Sequence, residues 1–224
     1  MDSKIDIFQE KVNNIFNLMK DDWKEEEGVV TWNSWQWGAG DNPHEVSATN
    51  YHIFELLQEN LNGEYNEILD LGCGYARVTP YFKQFSDNVY GYDYNWEMIE
   101  KARKAYPEID FKSGKAQNLP YTGGKFDLVF CRSVLQHIEE EELRKVRSEI
   151  NRVTGEGANL LIFEDVSSQG EGASDGHYNL RDKEYYEKFF SNFELVGGDK
   201  RRKLPFDRHD RKKLLIFEKK EENQ

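Results

Sequence analysis

Cysteine, proline and long apolar runs are all scarce in this chain. Its 224 residues include two cysteines and five prolines. Cys73 and Cys131 lie in glycine-rich or apolar segments with no histidine at the spacing of a zinc site, which disfavours a disulfide framework and a structural metal. No stretch reaches the roughly 20 apolar residues of a membrane helix, and the first residues lack the pattern of a secretory signal. We therefore expect a cytoplasmic protein with no metal and no membrane partner.

Positively charged residues are fewer than negatively charged ones. The chain has 30 Lys and Arg against 42 Asp and Glu, a net charge of -12, so its overall field repels the phosphates of nucleic acids. We therefore expect no nucleic-acid partner. Residues 200–213 are a local exception, with eight Lys and Arg. This basic run fits either a solvated hairpin or a cationic lip for an anionic substrate such as a nucleotide-linked sugar.

Short apolar segments alternate with amphipathic segments after residue 62. This pattern predicts strands at 67–71, 89–92, 109–112, 126–131, 159–164, 193–197 and 213–217, and helices at 78–85, 96–105, 139–153 and 183–190. Strands and helices that alternate at this spacing form parallel βαβ units with right-handed crossovers. The sequence thus predicts an α/β fold, a doubly wound, mostly parallel seven-stranded sheet with helices on both faces.

The amino-terminal part has a different character. Residues 4–20 place apolar side chains three and four positions apart, which is typical of one face of a helix, and a second helix is predicted at 47–60. Between them, residues 23–37 contain four of the five tryptophans. We interpret residues 1–62 as a helical, aromatic-rich extension that covers the substrate, and residues 63–220 as the main domain. A small core beneath the first helix is the alternative interpretation.

The most informative segment follows the first predicted strand. Gly72 and Gly74 precede a helix, and glycine there allows positive φ and close approach of a ligand to the backbone. Arg77 occupies the position where the dinucleotide-binding pattern needs a small residue, and its guanidinium offers two donors to a carboxylate. Asp93 ends the second strand, where a carboxylate accepts hydrogen bonds from ribose hydroxyls. These features predict a nucleoside site and favour S-adenosylmethionine over a nicotinamide dinucleotide.

These segments resemble the motifs of the class I S-adenosylmethionine-dependent methyltransferases. The resemblance rests on residues 68–78 (ILDLGCGYARV), 91–93 with Met98, 114–120 (GKAQNLP) and 126–130 (FDLVF). It covers about residues 66–165 and implies a Rossmann-like methyltransferase fold with S-adenosyl-L-methionine as the cofactor. Relatives often carry Asp where Lys115 stands. A protonated Lys has no acceptor for the adenine amine, so that contact would pass to the backbone, Gln117 or Asn118.

The resemblance also implies which residues bind the cofactor. They are Gly72, Cys73, Gly74 and Arg77 around the methionine moiety, Asp93 and Tyr94 at the ribose, Met98, Ala116 and Gln117 around adenine, and Arg132 beside the sulfonium. Two residues near these positions also have structural interpretations. Met98 is equally well explained as a core residue, and Asp70 as a residue that stabilises the glycine turn.

Candidate catalytic residues follow the fourth and fifth strands, because ligands bind beyond the carboxyl ends of parallel strands. His137 can accept a proton near pH 7, Asp165 follows the fifth strand, and His177 lies at a loop rich in Gly and Ser that would act as a lid. A general base typically contributes ~10²–10⁴ in rate to such a transfer. Each also has a structural alternative, as a packing residue or a solvated side chain.

The sequence therefore predicts an S-adenosylmethionine-dependent methyltransferase that acts on an oxygen or nitrogen atom of a small molecule. Sugars and nucleotide sugars are preferred as acceptors because of the basic run and the aromatic extension. Two alternatives stay open. A protein or peptide methyltransferase would use the negative charge to attract a basic peptide, and a non-catalytic protein would keep only the cofactor site.

Overall fold

The computed structural model describes residues 53–61, 63–167, 179–198 and 212–221. These belong to two compact units, one containing residues 53–59 and the other containing the described residues from 60 onward. In the first unit the described residues are helical. The rest of the predicted amino-terminal extension lies outside the described residues, as do His177 and most of the basic run, so the boundary at residue 62 stays a prediction.

The second unit is built on a sheet with the strand order β3-β2-β1-β4-β5-β8-β7, and a further short strand, β6, pairs with β5. The strands are β1 (Glu67–Leu71), β2 (Asn88–Asp93), β3 (Asp110–Ser113), β4 (Phe126–Arg132), β5 (Thr154–Ser167), β6 (Arg181–Asp182), β7 (Phe193–Gly198) and β8 (Lys212–Lys219). Strands β1 to β5 pair in parallel, and β8 runs antiparallel to both β5 and β7. The predicted mostly parallel sheet is confirmed, with a two-residue strand added to the seven expected.

Three α-helices connect these strands, α1 (Trp96–Ala105), α2 (Glu140–Val153) and α3 (Lys183–Phe189). α1 begins where the side chain of Asn95 accepts the N–H groups of Glu97 and Met98, which are donors that the first helical turn leaves unsatisfied. The segment predicted as a helix at 78–85 is instead a 3₁₀ helix, Thr79–Gln84. A second, shorter 3₁₀ helix spans Leu135–His137.

The sheet is covered on both faces. In β4, Val129 and Cys131 belong to a buried cluster that includes residues of α2 and α3. Phe130 points the other way because side chains alternate along a strand, and its ring lies 5.3 Å from that of Phe82 in the first 3₁₀ helix. The two-sided burial explains why β4 is a continuous apolar run in the sequence.

The predicted end of α2 at Val153 is confirmed, but the start of β5 differs from its prediction. The sequence predicts that Gly155 and Gly157 follow the helix in a loop, with the strand beginning at 159. In the structure α2 ends at Val153, and β5 begins at Thr154. The pairing of β4 with β5 changes register between Phe126 and Leu128, so the glycines form an irregular start of the strand rather than a loop.

One carboxylate ties the amino ends of β1 and β4 together. Asp127 accepts the N–H groups of Asn66 and Glu67, each at 2.7 Å. This fixes the amino ends of the central strands and leaves their carboxyl ends to face the loops that carry the candidate site residues. Among the described residues, no helix is long and apolar enough to cross a membrane.

Candidate functional site

The candidate site lies where the chain turns away from the centre of the sheet. β1 pairs with β2 on one side and with β4 on the other, so the connections after β1 and β4 diverge at their carboxyl ends. In open α/β sheets this divergence creates the crevice that receives a ligand. The glycine turn, Asp93, Arg132 and the turn before α2 all follow strands that end at this edge.

The glycine turn after β1 is held by its own backbone. The N–H groups of Gly72 and Cys73 both donate to the carbonyl of Tyr92, at 2.7 and 3.2 Å. Gly72 has a φ of 80°, and a Cβ at this position would lie 2.0 Å from Cγ2 of Val134. Glycine is therefore required at this position both by the backbone angle and by the close approach of the turn that follows β4.

Asp93 joins the end of β2 to this turn. Its Oδ2 accepts the N–H of Gly74 and its Oδ1 accepts the N–H of Asn95, both at 2.9 Å. Burial raises the pKa of the Asp93 carboxyl, while the N–H donors of Asn95, Gly74 and Tyr94 oppose that increase. Each carboxylate oxygen can accept more than one hydrogen bond, so Asp93 retains acceptor capacity for two hydroxyl groups.

Three charged side chains lie beneath the crevice. Asp70 is buried and accepts the hydroxyl of Thr79 at 2.6 Å. Burial raises the pKa of Asp70 to about 7, although that hydrogen bond and the positive charge of Arg132 act in the opposite direction. Burial and the neighbouring charge of Arg77 lower the pKa of Arg132, and burial lowers that of Arg77. The positive charges of Arg77 and Arg132 repel each other. An anionic group bound beside them would offset this repulsion, so the pair favours the binding of an anion.

The other predicted cofactor residues lie around the loops after β2 and β3. Tyr94 is 64% exposed, and Met98 is partly buried, with its sulfur 3.6 Å from where a Cβ on Gly74 would stand. Ala116 is partly buried against the core cluster of the sheet. The amide nitrogen of Gln117 donates to Glu142 of α2 at 3.0 Å, so its side chain is held by that helix.

The turn between β4 and α2 carries the first catalytic candidate, and it is fixed at both ends. Glu164, fully buried in β5, accepts the N–H groups of Val134 and Leu135 at 2.8 and 3.0 Å. Ser133, at the start of the turn, has a φ of 51°. His137 is exposed at the end of the turn, and its ring Nε2 lies 3.3 Å from the amide nitrogen of Gln136.

Asp165 lies next to this turn through its backbone, since its N–H donates to the side-chain oxygen of Gln136 at 3.0 Å. His137 and Asp165 therefore belong to neighbouring parts of the structure, but β5 continues to Ser167, so Asp165 lies within the strand and not after it. Among the described residues, no group of three or more His, Cys, Asp or Glu is arranged to hold a metal ion. Both cysteines are free and buried, and burial raises the pKa of each thiol well above its ordinary value.

Sequence reasoning did not find the residue that holds the far end of the turn. Arg181, at the start of β6, is buried and donates to the carbonyls of Leu135 and Ile138, both at 2.9 Å. The N–H of Asn179 donates to the carbonyl of Gln136 at 2.7 Å. No local pattern marks these contacts, because they join residues more than forty positions apart.

Comparison with known proteins agrees with this geometry. Residues 69–162 match a family described as a methyltransferase domain. This range contains the glycine turn, Asp93 and most of β5. Residues 69–162 are therefore similar to a methyltransferase domain, in agreement with the motifs that resemble the class I S-adenosylmethionine-dependent methyltransferases.

Relatives of this methyltransferase domain carry different names. A malonyl-[acyl-carrier protein] O-methyltransferase of Hamiltonella defensa is 30% identical over 109 residues, which are 49% of this chain and 42% of that protein. A norajmaline N-methyltransferase of Rauvolfia serpentina is 28% identical over 117 residues, 49% of this chain and 39% of the relative. The chain thus spans less than half of the length of either relative.

The methyltransferase fold is also found in solved structures. A protein of Pyrococcus horikoshii OT3 superposes with a TM-score of 0.66 at 19% sequence identity, covering 80% of this chain and 93% of that one. At this identity the likeness concerns the fold. It shows that the arrangement of sheet and helices described above is shared with that protein.

The residues of the methyltransferase site fit the cofactor that the family implies. Asp93 has acceptor capacity for the ribose hydroxyls, and the buried guanidinium group of Arg77 suits a carboxylate. If a Cβ were added to Gly74, the sulfur of Met98 would be the only atom within 4 Å of it among the described residues, apart from the neighbours of Gly74 in the chain. Among the described residues, the surface above Gly74 is therefore open to a ligand.

Proposed function

We propose that this protein binds S-adenosyl-L-methionine and transfers its methyl group to an oxygen or nitrogen atom of a small molecule. The observation that carries the proposal is the hydrogen bond between Asp93 and Gly74, which joins the carboxyl end of β2 to the turn after β1. It combines a backbone surface open to a ligand with a carboxylate suited to a ribose. The family match over residues 69–162 supports the same activity.

Each cofactor residue has a distinct part in this proposal. When bound, S-adenosylmethionine supplies a methyl carbon that is activated by a neighbouring sulfonium. Arg77 would hold the carboxylate of its methionine part, Arg132 would lie beside the sulfonium, and Asp93 would hold the ribose. These contacts fix the direction of the methyl group, and alignment with exclusion of water accounts for much of the rate gained in such a displacement.

Three residues are proposed as general bases for the acceptor, namely His137, Asp165 and His177. His137 is favoured by its exposure at the end of the turn that follows β4, beside the cofactor residues. A neutral imidazole there would take the proton that an acceptor hydroxyl or ammonium group must lose before it attacks carbon. His177 lies outside the described residues, and it enters the proposal on sequence grounds.

Sugars and nucleotide sugars are the first acceptors to test. Two sequence features support them, the basic run at 200–213 and the aromatic-rich segment within residues 1–62, which we propose as the substrate cover. The free, buried cysteines support a reducing, cytoplasmic setting. The names of the relatives, which include an O-methyltransferase and an N-methyltransferase, are compatible with either type of acceptor atom.

Calorimetry tests the cofactor part of this proposal. S-adenosylhomocysteine, S-adenosylmethionine and NAD are each titrated into the full chain. We expect the first two to bind with micromolar or tighter affinity and NAD not to bind. If S-adenosylhomocysteine gives no heat of binding and no thermal stabilisation at millimolar concentration, the proposal is wrong.

A transfer assay then separates the acceptor classes. Protein, labelled S-adenosylmethionine and panels of sugars, nucleotide sugars and small amines are incubated, with a basic peptide panel in parallel. The net charge of -12 favours a basic peptide as the second candidate. Label in the peptide panel alone would replace the small-molecule proposal, and cofactor binding without transfer to any acceptor would favour the non-catalytic alternative.

A further inference from the structure

The turn at residues 133–138 lies between the two halves of the site. At its start, the side chain of Val134 packs against Gly72 of the glycine turn. The packing is so close that a Cβ added to Gly72 would lie 2.0 Å from Cγ2 of Val134. At its end stands His137. A shift of the first part would therefore disturb the cofactor side, and a shift of the last part would disturb the acceptor side.

Different side chains hold the two parts. Glu164 accepts the N–H groups of Val134 and Leu135, in the first half of the turn, through a single carboxylate oxygen. Arg181 donates to the carbonyls of Leu135, in the middle of the turn, and of Ile138, at its end, with two nitrogens of one guanidinium group. Charged partners make these among the stronger hydrogen bonds of the protein, and the planar guanidinium fixes their direction.

Both holding residues are anchored to the sheet. Glu164 belongs to β5, and Arg181 begins β6, which pairs with β5 through Val166 and Arg181. Arg181 is 4% exposed, lies 5.2 Å from the ring centroid of Tyr185 and is 3.8 Å from the carboxylate of Glu140. Its side chain is therefore held on several sides, so that it can act as a rigid support for the turn.

We infer that Glu164 and Arg181 are positioning residues with separate tasks, the first for the cofactor and the second for the acceptor. This inference rests on the proposed function. Glu164 keeps Val134 against the glycine turn, which sets the floor of the cofactor site. Arg181 keeps the last turn residues, and with them His137, at a fixed distance from the transferred methyl group.

Conservative substitutions separate the two tasks. Arg181→Lys keeps the positive charge but cannot present two donors in one plane to two carbonyls. Glu164→Gln keeps an acceptor oxygen but loses the negative charge. Arg147→Lys is the matched control, because Arg147 also donates to a backbone carbonyl, that of Phe189 at 3.2 Å, between α2 and α3.

Three readouts are compared in the full chain. They are the affinity for S-adenosylhomocysteine, hydrogen–deuterium exchange of residues 133–138, and kcat and KM for the acceptor found in the transfer assay. For Arg181→Lys we expect an affinity within twofold of the wild type, exchange of the His137 and Ile138 amides at least tenfold faster, and kcat at least tenfold lower. For Glu164→Gln we expect the affinity itself to fall at least fivefold.

The inference is overturned if Arg181→Lys leaves both exchange and kcat unchanged, if it weakens the cofactor as much as Glu164→Gln does, or if Arg147→Lys gives the same losses. Should Arg181→Lys not fold, Arg181→Gln, which retains one N–H donor group, replaces it. Exchange of the turn is also measured without cofactor. Suppose that the wild type binds no S-adenosylhomocysteine but that hydrogen exchange of residues 133–138 is faster in Arg181→Lys. This result would support the role of Arg181 in holding the turn and refute the proposed function.

Discussion

The carboxylate of Asp93 accepts the N–H of Gly74 at 2.9 Å, which ties the end of β2 to the glycine turn after β1. A second N–H, from Asn95 at the start of α1, occupies its other oxygen. One side chain thus sets the relative position of two loops that the proposed cofactor must touch at the same time.

Replacing Asp93 should therefore weaken the cofactor strongly. In Asp93→Asn an amide NH₂ group faces one of the two backbone N–H donors, and the acceptor capacity for ribose hydroxyls is halved. We expect the affinity for S-adenosylhomocysteine, measured by calorimetry, to fall at least tenfold, as about 1.4 kcal/mol of lost binding implies. Asp127→Asn is the control, since Asp127 accepts backbone N–H groups at the opposite end of β1. Equal losses in both variants would contradict a binding role for Asp93.

Two glycines of the turn should differ in their tolerance of alanine. Both have positive φ, 80° at Gly72 and 55° at Gly74, which costs an L-residue about 1–2 kcal/mol. A Cβ at Gly72 would also meet Val134 at 2.0 Å, whereas at Gly74 the nearest atom is 3.6 Å away. We expect Gly72→Ala to lower the free energy of unfolding by about 1–3 kcal/mol more than Gly74→Ala. Urea unfolding of the two variants measures this, and equal losses would show that Val134 moves aside without cost.

Asp70 should make stability depend on pH. Its pKa is about 7 in the folded protein against an ordinary value of 3.8, so the folded state binds more protons than the unfolded state between these values. Stability therefore falls as pH rises through this window. Asn cannot titrate, so Asp70→Asn should gain about 2–3 kcal/mol in unfolding free energy relative to the wild type between pH 5 and pH 8. Urea unfolding at both pH values tests this, and a constant difference between the proteins would rule it out.

The proposed general bases should affect transfer without affecting cofactor binding. His137 is exposed, so His137→Ala should leave the free energy of unfolding within about 0.5 kcal/mol of the wild type. If His137 takes the acceptor's proton, kcat should fall ~10²–10⁴-fold while calorimetry with S-adenosylhomocysteine stays unchanged. Asp165→Asn and His177→Ala are measured beside it. The variant with the large loss in kcat identifies the base, and three variants with wild-type kcat would remove all three candidates.

Much of the sheet could be predicted from the sequence because its strands are short, apolar and bounded by loops. β1 and α1 have the predicted limits, and β2, β3 and β4 differ from theirs by one residue at one or both ends. The sequence predicts a helix at 78–85 but not that it is a 3₁₀ helix over Thr79–Gln84, because apolar periodicity does not distinguish one helix type from another. The early start of β5 was missed because glycine is more common in loops than in strands, and a register shift is set by the neighbouring strand rather than by local sequence.

The candidate site divides in the same way. Gly72, Gly74 and Asp93 follow predicted strands, so parallel pairing alone brings them to one edge of the sheet. Their role as cofactor ligands stays a prediction. Gln117 was expected at the adenine edge, and its bond to Glu142 depends on where α2 lies. The support of the turn by Arg181 likewise depends on packing of distant segments, which neither periodicity nor spacing encodes.

The burial of both cysteines has a practical consequence. A thiol reacts as its thiolate, so a raised pKa and an inaccessible sulfur make Cys73 and Cys131 slow targets for maleimide reagents. The natural chain can therefore serve as its own background for site-specific labelling. A fluorophore attached through Tyr94→Cys, at a side chain that is 64% exposed, would stand at the edge of the crevice and report on ligand arrival in real time.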